Sequence, residues 1–445
     1  MKRIPIADNS SKKISDLNLD ASDIENLRKI ANVPIAQISL DENPNLLVFP
    51  REWNHYGDEI DKSCILSMSE QEISTGNIMG FVGVNDTQLD ITSRFSKVQD
   101  YFLHYMLQKV FSINLFDIQH SISKQPIFDF LLYLFPHFLK KALAQGLFKK
   151  YKRYEYNDAN LRGPIDVNRH IRQNIPFRGT VAYSTREHSY DNEVTQLIRH
   201  TIEYIRAKEQ GAAILNNDAE MKACVSQIVT ATQSYNVRDR NKVIGQNLRP
   251  VRHPYYSAYT ALQKICLQIL RHESIKYGQE KDKVYGILFD GAWLWEEYLN
   301  TILKGLGFNH PENKKHKGGF QMFDNKTNKE ADIETIDRNS RRLYPDFYKD
   351  DFILDAKYKR LNNGVGREDL YQVVTYMYCQ KAINGGYLFP CEKEEKSNKY
   401  KLNGYEGTIH LLPFLIPKSS NSYQSFVGIM KEKETDICNT IKGIH

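Results

Sequence analysis

The chain has 445 residues, 41% of them hydrophobic, with 60 basic and 54 acidic residues and a formal charge of +6. That length holds two or three domains with apolar cores of their own, and the mild positive excess suits intermittent contact with a polyanion, short of a dedicated tight nucleic-acid binder. Six cysteines, at 64, 224, 266, 379, 391 and 438, show no C-x-x-C spacing; this argues against a zinc site or a disulfide framework and fits a reducing cytoplasm.

In chain order, residues 1–98 predict a small β-rich domain. A polar start without a signal-length apolar core is followed by a short helix at 23–31 and strand-like runs LLVFP, GNIMGFVGV and TQLDITSRF between Asn, Asp and Gly. Residues 99–276 predict a mainly helical domain. DYFLHYMLQKVF, FDFLLYLFPHFLKKALAQG, EVTQLIRHTIEYIRAKEQG and YSAYTALQKICLQILRHES each carry apolar residues at three and four spacing. The most apolar stretch, 126–139, is interrupted by Asp129 and Pro136, so no membrane span is expected. Between these helices lies the basic and aromatic tract FKKYKRYEY at 148–156, which either tracks a DNA backbone or, more simply, follows a helix C-terminus with packed tyrosines. The polar segment 277–286 reads as a linker, and 277–445 as a third, α/β domain ending in charged loops and a strand-like GTIHLLPFLI.

Within that last domain, LYPDFYKDDFILDAKYK (343–359) reads as two strands flanking the turn residues Asp350 and Asp351. The register pairs Lys349 with Phe352 and Tyr348 with Ile353, and sets Asp346 opposite Asp355, ~5 Å apart at Cβ. Lys357 then projects to the same side as Asp355, because strand side chains alternate. Facing carboxylates are destabilising unless something neutralises them, and a divalent cation would do so. All-oxygen ligands without His or Cys favour Mg²⁺ or Mn²⁺, and such an ion can activate water against a phosphodiester. The bland reading is a solvated hairpin whose charges keep a sheet edge soluble.

Two flanking helices bear on the choice. FDGAWLWEEYLNTILKGLGF (289–308) is amphipathic, with Glu296 and Glu297 in its first turns; either could reach a metal held by the hairpin, or both could be ordinary acids near a helix N-terminus. EDLYQVVTYMYCQKAI (368–383) carries Gln372 and Tyr376 at i and i+4 on one face. His310 and His316, in HPENKKHKGG, read as members of a solvated Lys-rich loop rather than metal ligands.

These residues resemble the PD-(D/E)xK nuclease superfamily. Asp346, Asp355 and Lys357 match its signature in order and type, Glu296 matches the acid of its first core helix, and Gln372 with Tyr376 matches the QxxxY helix of its RecB-like branch. More narrowly, LDITSRF (89–95), LRGPIDVNRHIRQN (161–174) and EHSYDNEVTQLI (187–198) resemble segments of McrC and of LlaJI-type restriction endonuclease subunits. The SRF ending leans toward the LlaJI-like branch and leaves methylation dependence open.

The resemblance implies an α/β multidomain protein with an N-terminal β-rich partner-interaction domain, a central mainly helical domain and a C-terminal restriction-endonuclease-like core. It implies a Mg²⁺-dependent (or Mn²⁺-dependent) endonuclease subunit cutting foreign double-stranded DNA in a complex with a McrB-like AAA+ ring that hydrolyses GTP. Asp346, Asp355 and Glu296 would hold the metal, Lys357 would act on the nucleophile or the developing charge, and Gln372 and Tyr376 would position substrate and lysine. No Walker A pattern occurs in the chain, so GTP would be bound by the partner. Arg162, Arg169 or Arg172 could reach a neighbouring nucleotide site as an arginine finger does. The rival reading is a non-catalytic adaptor that activates the ring.

Overall fold

The computed structural model describes residues 2–38, 46–50, 64–96, 100–111, 126–208, 211–276, 284–311, 318–322, 342–361, 364–404, 406–418 and 420–444. His316 and most of the expected linker, 277–283, lie outside the described residues. The chain forms two compact units, Met1–Ile122 with Gly278–His445, and Ser123–Tyr277. The segments expected as a first and a third domain therefore lie in one unit, and the helix Tyr101–Phe111, expected in the central domain, belongs to it too.

The reason is a strand that the sequence does not place locally. Val284–Asp290 runs antiparallel to Ile78–Val84 and parallel to Leu46–Phe49, inside a five-stranded sheet that continues through Thr87–Thr92 to Lys2–Ala7. Gly80 and Gly286 hold φ of 123° and 154° where the two strands pair; a Cβ on Gly80 would lie 2.1 Å from the Ile287 carbonyl oxygen, so only glycine fits that approach. Ile4, Ile6, Val82, Leu89, Ile91 and Leu288 fill one core beneath the helix Ala21–Arg28. That helix begins on a capping box of Asp20 and Asp23.

The second sheet of this unit is mixed. Phe352–Ala356, Asn384–Cys391 and Thr408–Leu415 are parallel neighbours, with Phe347–Lys349 and Asn398–Lys401 antiparallel at the edges. Phe352–Ala356 is buried along its whole length, as a strand covered on both faces must be, so the side that carries Asp355 is not a solvated one. The helix Arg367–Gln380 covers one face, packing Val373, Tyr376 and Met377 on Ile353, Tyr387 and Ile409. On the other, Trp295 and Tyr298 of the helix Gly291–Leu303 meet Phe414 at ring separations of 5.7 and 6.0 Å. The chain ends in the helix Tyr423–Lys442, capped by Ser422, where only loops and a strand were expected.

The second unit is mainly helical, as the periodicity predicts, through Pro126–Leu143, Glu193–Arg206, Ala219–Ala231 and Ala258–Lys276. It also carries a long antiparallel hairpin, Lys150–Asp158 with Val181–Ser189. The basic tract at 148–156 follows the helix Pro126–Leu143 and is largely a strand; its tyrosines are strand formers, and the strand is exposed along most of its length, where packed tyrosines were expected.

Candidate active site

Asp350 takes the hairpin turn with φ of 39°, a left-handed conformation that Asp tolerates. The strands pair Lys349 with Phe352, Tyr348 with Ile353 and Phe347 with Leu354, which is the expected register, and its next step sets Asp346 opposite Asp355. Asp346 Oδ2 accepts from the Ala356 amide at 2.7 Å. Asp355, 3% exposed, places Oδ2 2.8 Å from Lys357 Nζ, yet no hydrogen-bond donor is aligned on that oxygen.

Lys357 is shared with a third acid. Its Nζ lies 3.0 Å from Asp369 Oδ1, and Asp369 Oδ2 in turn takes Lys359 Nζ at 2.6 Å. Asp369 stands in the first turn of Arg367–Gln380, three residues before Gln372 and seven before Tyr376, on the face they share; that spacing is the signal for it in the sequence. Gln372 Nε2 donates to the Tyr376 hydroxyl at 2.9 Å. Burial raises the Tyr376 pKa, and the charges of Asp346 and Asp355 raise it further, so this phenol shares the field of the acidic pair.

The electrostatics follow from burial. Desolvation, and then the charge of Asp355, holds the Asp346 carboxyl well above the ordinary carboxylate range. Desolvation raises Asp355 as well, opposed by the Lys357 ammonium. Two like groups in one low-dielectric pocket cannot both ionise freely, and a cation beside them would relieve that conflict. Burial alone would lower Lys357, but Asp355 and Asp369 outweigh it and its pKa rises. Lys357 is therefore a fixed cation and not a base.

This donor set fits a hard divalent ion. It offers two facing carboxyls, an oxygen with no aligned donor, and no soft ligand; Mg²⁺ is commonly bound through one or two carboxylates and keeps several waters. Among the described residues no group of three or more His, Cys, Asp or Glu side chains is arranged to hold a metal ion, so Glu296, half-buried on Gly291–Leu303, is not brought into such a group with Asp346 and Asp355. Its neighbour Glu297 lies on the Asp346 side. His310 Nε2 is 3.9 Å from Glu297 Oε1, and its Nδ1 bonds the Asp346 carbonyl oxygen at 2.7 Å while its ring stacks on Phe347 at 4.8 Å. His310 is therefore part of the site's frame, where a solvated loop was expected.

The three arginines of the central motif separate. Arg169 Nη2 donates to the Tyr156 and Tyr183 carbonyls at 2.6 and 2.7 Å, clamping both strands of the long hairpin. Arg162 bonds the Tyr183 hydroxyl at 3.1 Å and lies 5.0 Å over the Tyr156 ring. Arg172, in the short helix Val167–Asn174, is exposed and has no ion partner among the described residues. In the sequence that flanks it, Leu161, Ile165, Val167, Ile171, Ile175 and Phe177 are each 48–68% exposed.

Comparison with known proteins places this architecture. No curated protein sequence matches the chain. A half-complex from the tetradecameric assembly of Thermococcus gammatolerans McrB AAA+ hexamers with bound McrC contains a chain of similar fold, at a TM-score of 0.55 and 14% identity, covering 99% of this chain and 100% of that one. A chain of the T. gammatolerans McrBC complex is matched at a TM-score of 0.36 and 15% identity, over 68% of this chain and 87% of that one. Among the described residues no helix is long and apolar enough to cross a membrane. The family description "McrBC 5-methylcytosine restriction system component" matches residues 73–390, well over half of the sequence, and the chain belongs to that family.

Proposed function

We propose that this protein is the McrC-type, Mg²⁺-dependent DNA endonuclease subunit of a GTP-driven restriction complex, built on a PD-(D/E)xK core. The observation that carries the reading is the buried pair Asp346 and Asp355 beside Lys357, which is costly as structure and sensible as a cation site. Asp346 and Asp355 would hold Mg²⁺, and Glu296 or Glu297, not grouped with them among the described residues, would be the third acid. When bound, the ion polarises the phosphate and lowers the pKa of an attacking water. Lys357, kept protonated by Asp355 and Asp369, offers Nζ to the charge that develops on the scissile phosphate. Gln372 orients the Tyr376 hydroxyl beside the acids.

The partner is a McrB-like AAA+ GTPase, the kind of ring that holds McrC in the T. gammatolerans assembly. The surface for it is the exposed apolar group around Arg172, since an exposed cluster of large apolar side chains marks an interaction site. The test is to assay DNA cleavage and partner GTPase separately for Asp355→Ala and Lys357→Ala. Cleavage is expected to fall more than about a hundredfold, with GTPase stimulation retained. Wild-type protein that stimulates the GTPase but never cuts would establish the adaptor reading instead.

A further inference from the structure

The second unit holds a groove of about 1040 Å³ between the start of the long hairpin and the loop 247–256. Its walls are built from irregular backbone fixed by buried amides. Gln263, 2% exposed, accepts from the Val251 amide at 2.8 Å and donates to the carbonyls of Asn247 and Arg249 at 3.0 and 3.1 Å. Asn247, itself buried, donates to the Glu193 carbonyl at 2.8 Å, and Thr260 to that of Val251 at 2.7 Å. Beneath lies a packed aromatic floor, with Phe148 5.1 and 5.3 Å from the rings of Tyr256 and Tyr259. A loop held this firmly presents its outward side chains in fixed places, which is how rigid scaffolds carry binding residues.

Those outward side chains are cations and rings. Lys149, Lys150, Arg249 and Arg252 line the groove against one carboxylate, Glu193, which is already paired with Lys150. Tyr255 is 66% and Tyr151 62% exposed, and Tyr151 lies against the His188 ring at 3.9 Å. Excess positive charge next to exposed aromatic rings is what a single nucleic-acid strand requires, with phosphates on the cations and bases on the rings. A small apolar ligand would leave the excess positive charge of this lining unanswered, and a basic protein would be repelled by it.

We propose that this groove binds a single strand of DNA, with Arg249 and Arg252 on its phosphates and Tyr255 and Tyr151 against its bases. The groove belongs to the second unit and the Asp346–Asp355 pair to the first, and the proposal rests on the nuclease reading only for the choice of DNA as the polyanion.

The experiment measures binding of fluorescein-labelled single-stranded oligonucleotides to the full chain by anisotropy, in EDTA so that cleavage plays no part. The variants are Arg249→Glu with Arg252→Glu, Tyr255→Ala, and Lys399→Glu in the other unit as a control. The arginine pair is expected to weaken binding and to flatten the dependence of log Kd on log salt by about 0.7 per cation removed. Tyr255→Ala should cost about tenfold in Kd with the salt slope unchanged. Circular dichroism and thermal unfolding check that these exposed substitutions leave the fold intact. Kd values equal to wild type for folded variants would overturn the proposal, as would lost association with the AAA+ partner at unchanged DNA affinity. Cleavage by wild-type protein, assayed in parallel with Mg²⁺, reports separately on the nuclease reading.

Discussion

Arg94 donates from Nη2 to the backbone carbonyl of Tyr358 at 2.8 Å, the residue that directly follows Lys357. The same nitrogen bonds Asn77 Oδ1 at 2.6 Å and lies 3.3 Å from Asp8 Oδ2, and the guanidinium stands 4.7 Å over the Tyr358 ring. Ser93 Oγ completes the contact with the Tyr358 hydroxyl at 2.8 Å. The end of the N-terminal sheet is thus fastened to the backbone that carries the site's lysine, which gives the LDITSRF segment a physical role.

Arg94→Ala tests that role through stability and its pH dependence. Removing one member of a buried ion pair strands the other, at about 3–5 kcal/mol. Burial, opposed by Arg94, already raises the Asp8 pKa to about 6. A carboxyl whose folded pKa exceeds its unfolded value contributes stability below about 3.8 that is lost as pH rises through 6. Without Arg94 the loss deepens, so urea unfolding should show a larger deficit for Arg94→Ala at pH 8 than at pH 5. An equal deficit at both would contradict the pairing. Arg94→Lys, which keeps the charge but not the fork, should fold and still cut DNA more slowly, with kcat reduced and KM little changed.

The Asp346–Asp355 pair makes a second pH prediction. Both folded pKa values are raised, so the unfolded chain releases these protons first and the metal-free protein loses stability as pH climbs above about 4. A cation replaces the proton. Thermal midpoints should therefore rise on adding Mg²⁺, and by more at pH 8 than at pH 5.5. Asp346→Asn should raise metal-free stability at pH 8 while abolishing both the Mg²⁺ shift and cleavage. A Mg²⁺ shift independent of pH would argue that the ion binds elsewhere.

Asp369→Asn addresses the lysine. Burial would raise the Asp369 pKa, but Lys359 and Lys357 hold it low, so it is a charged anchor that keeps Lys357 in place. With that anchor neutral, Lys357 Nζ retains only Asp355 and gains freedom to swing. Cleavage should fall about tenfold, in keeping with the cost of misplacing a charge near reacting atoms. If Asp369→Asn cuts at the wild-type rate, Lys357 needs no second acid.

Much of the site was legible because it is local. The hairpin register follows from a turn and the alternation around it, so Asp346, Asp355 and Lys357 could be placed together from seventeen residues. The QxxxY pair needed only helical spacing. What was missed depends on distant chain or on burial. Val284–Asp290 joins strands from the first ninety residues, and no local pattern announces that pairing. His310 looks like a loop residue until its ring is seen on Phe347. The strand Asn384–Cys391 holds two adjacent glycines, Gly385 and Gly386, inside it. A Cβ on Gly385 would meet Met377 Sδ at 2.3 Å and the Ile409 and Val373 side chains at 3.0 Å, so glycine inside the strand lets the covering helix pack close. The final helix was readable and overlooked: Tyr423, Phe426, Val427 and Met430 keep helical spacing, behind a charged run that suggested loop.

The last prediction concerns the central motif. Arg162 and Arg169 are tied to the long hairpin by bonds to Tyr156 and Tyr183, so altering them damages the element that presents the motif. Arg172 is exposed among apolar side chains that total six within seventeen residues, Leu161 to Phe177. If this face meets the AAA+ ring, Arg172 is the arginine able to enter a neighbouring nucleotide site, where such a group is worth about 10³–10⁵ in rate at its strongest. Arg172→Ala should lower stimulation of the partner's GTPase while the protein keeps its fold and, once bound, its cleavage chemistry. Ile171→Asp with Phe177→Asp should instead abolish association, seen as loss of co-elution. Arg169→Ala should lower both the melting temperature and the stimulation, because it unclamps the hairpin. Full stimulation by Arg172→Ala at saturating concentration would remove it as a finger and leave this face a docking surface alone.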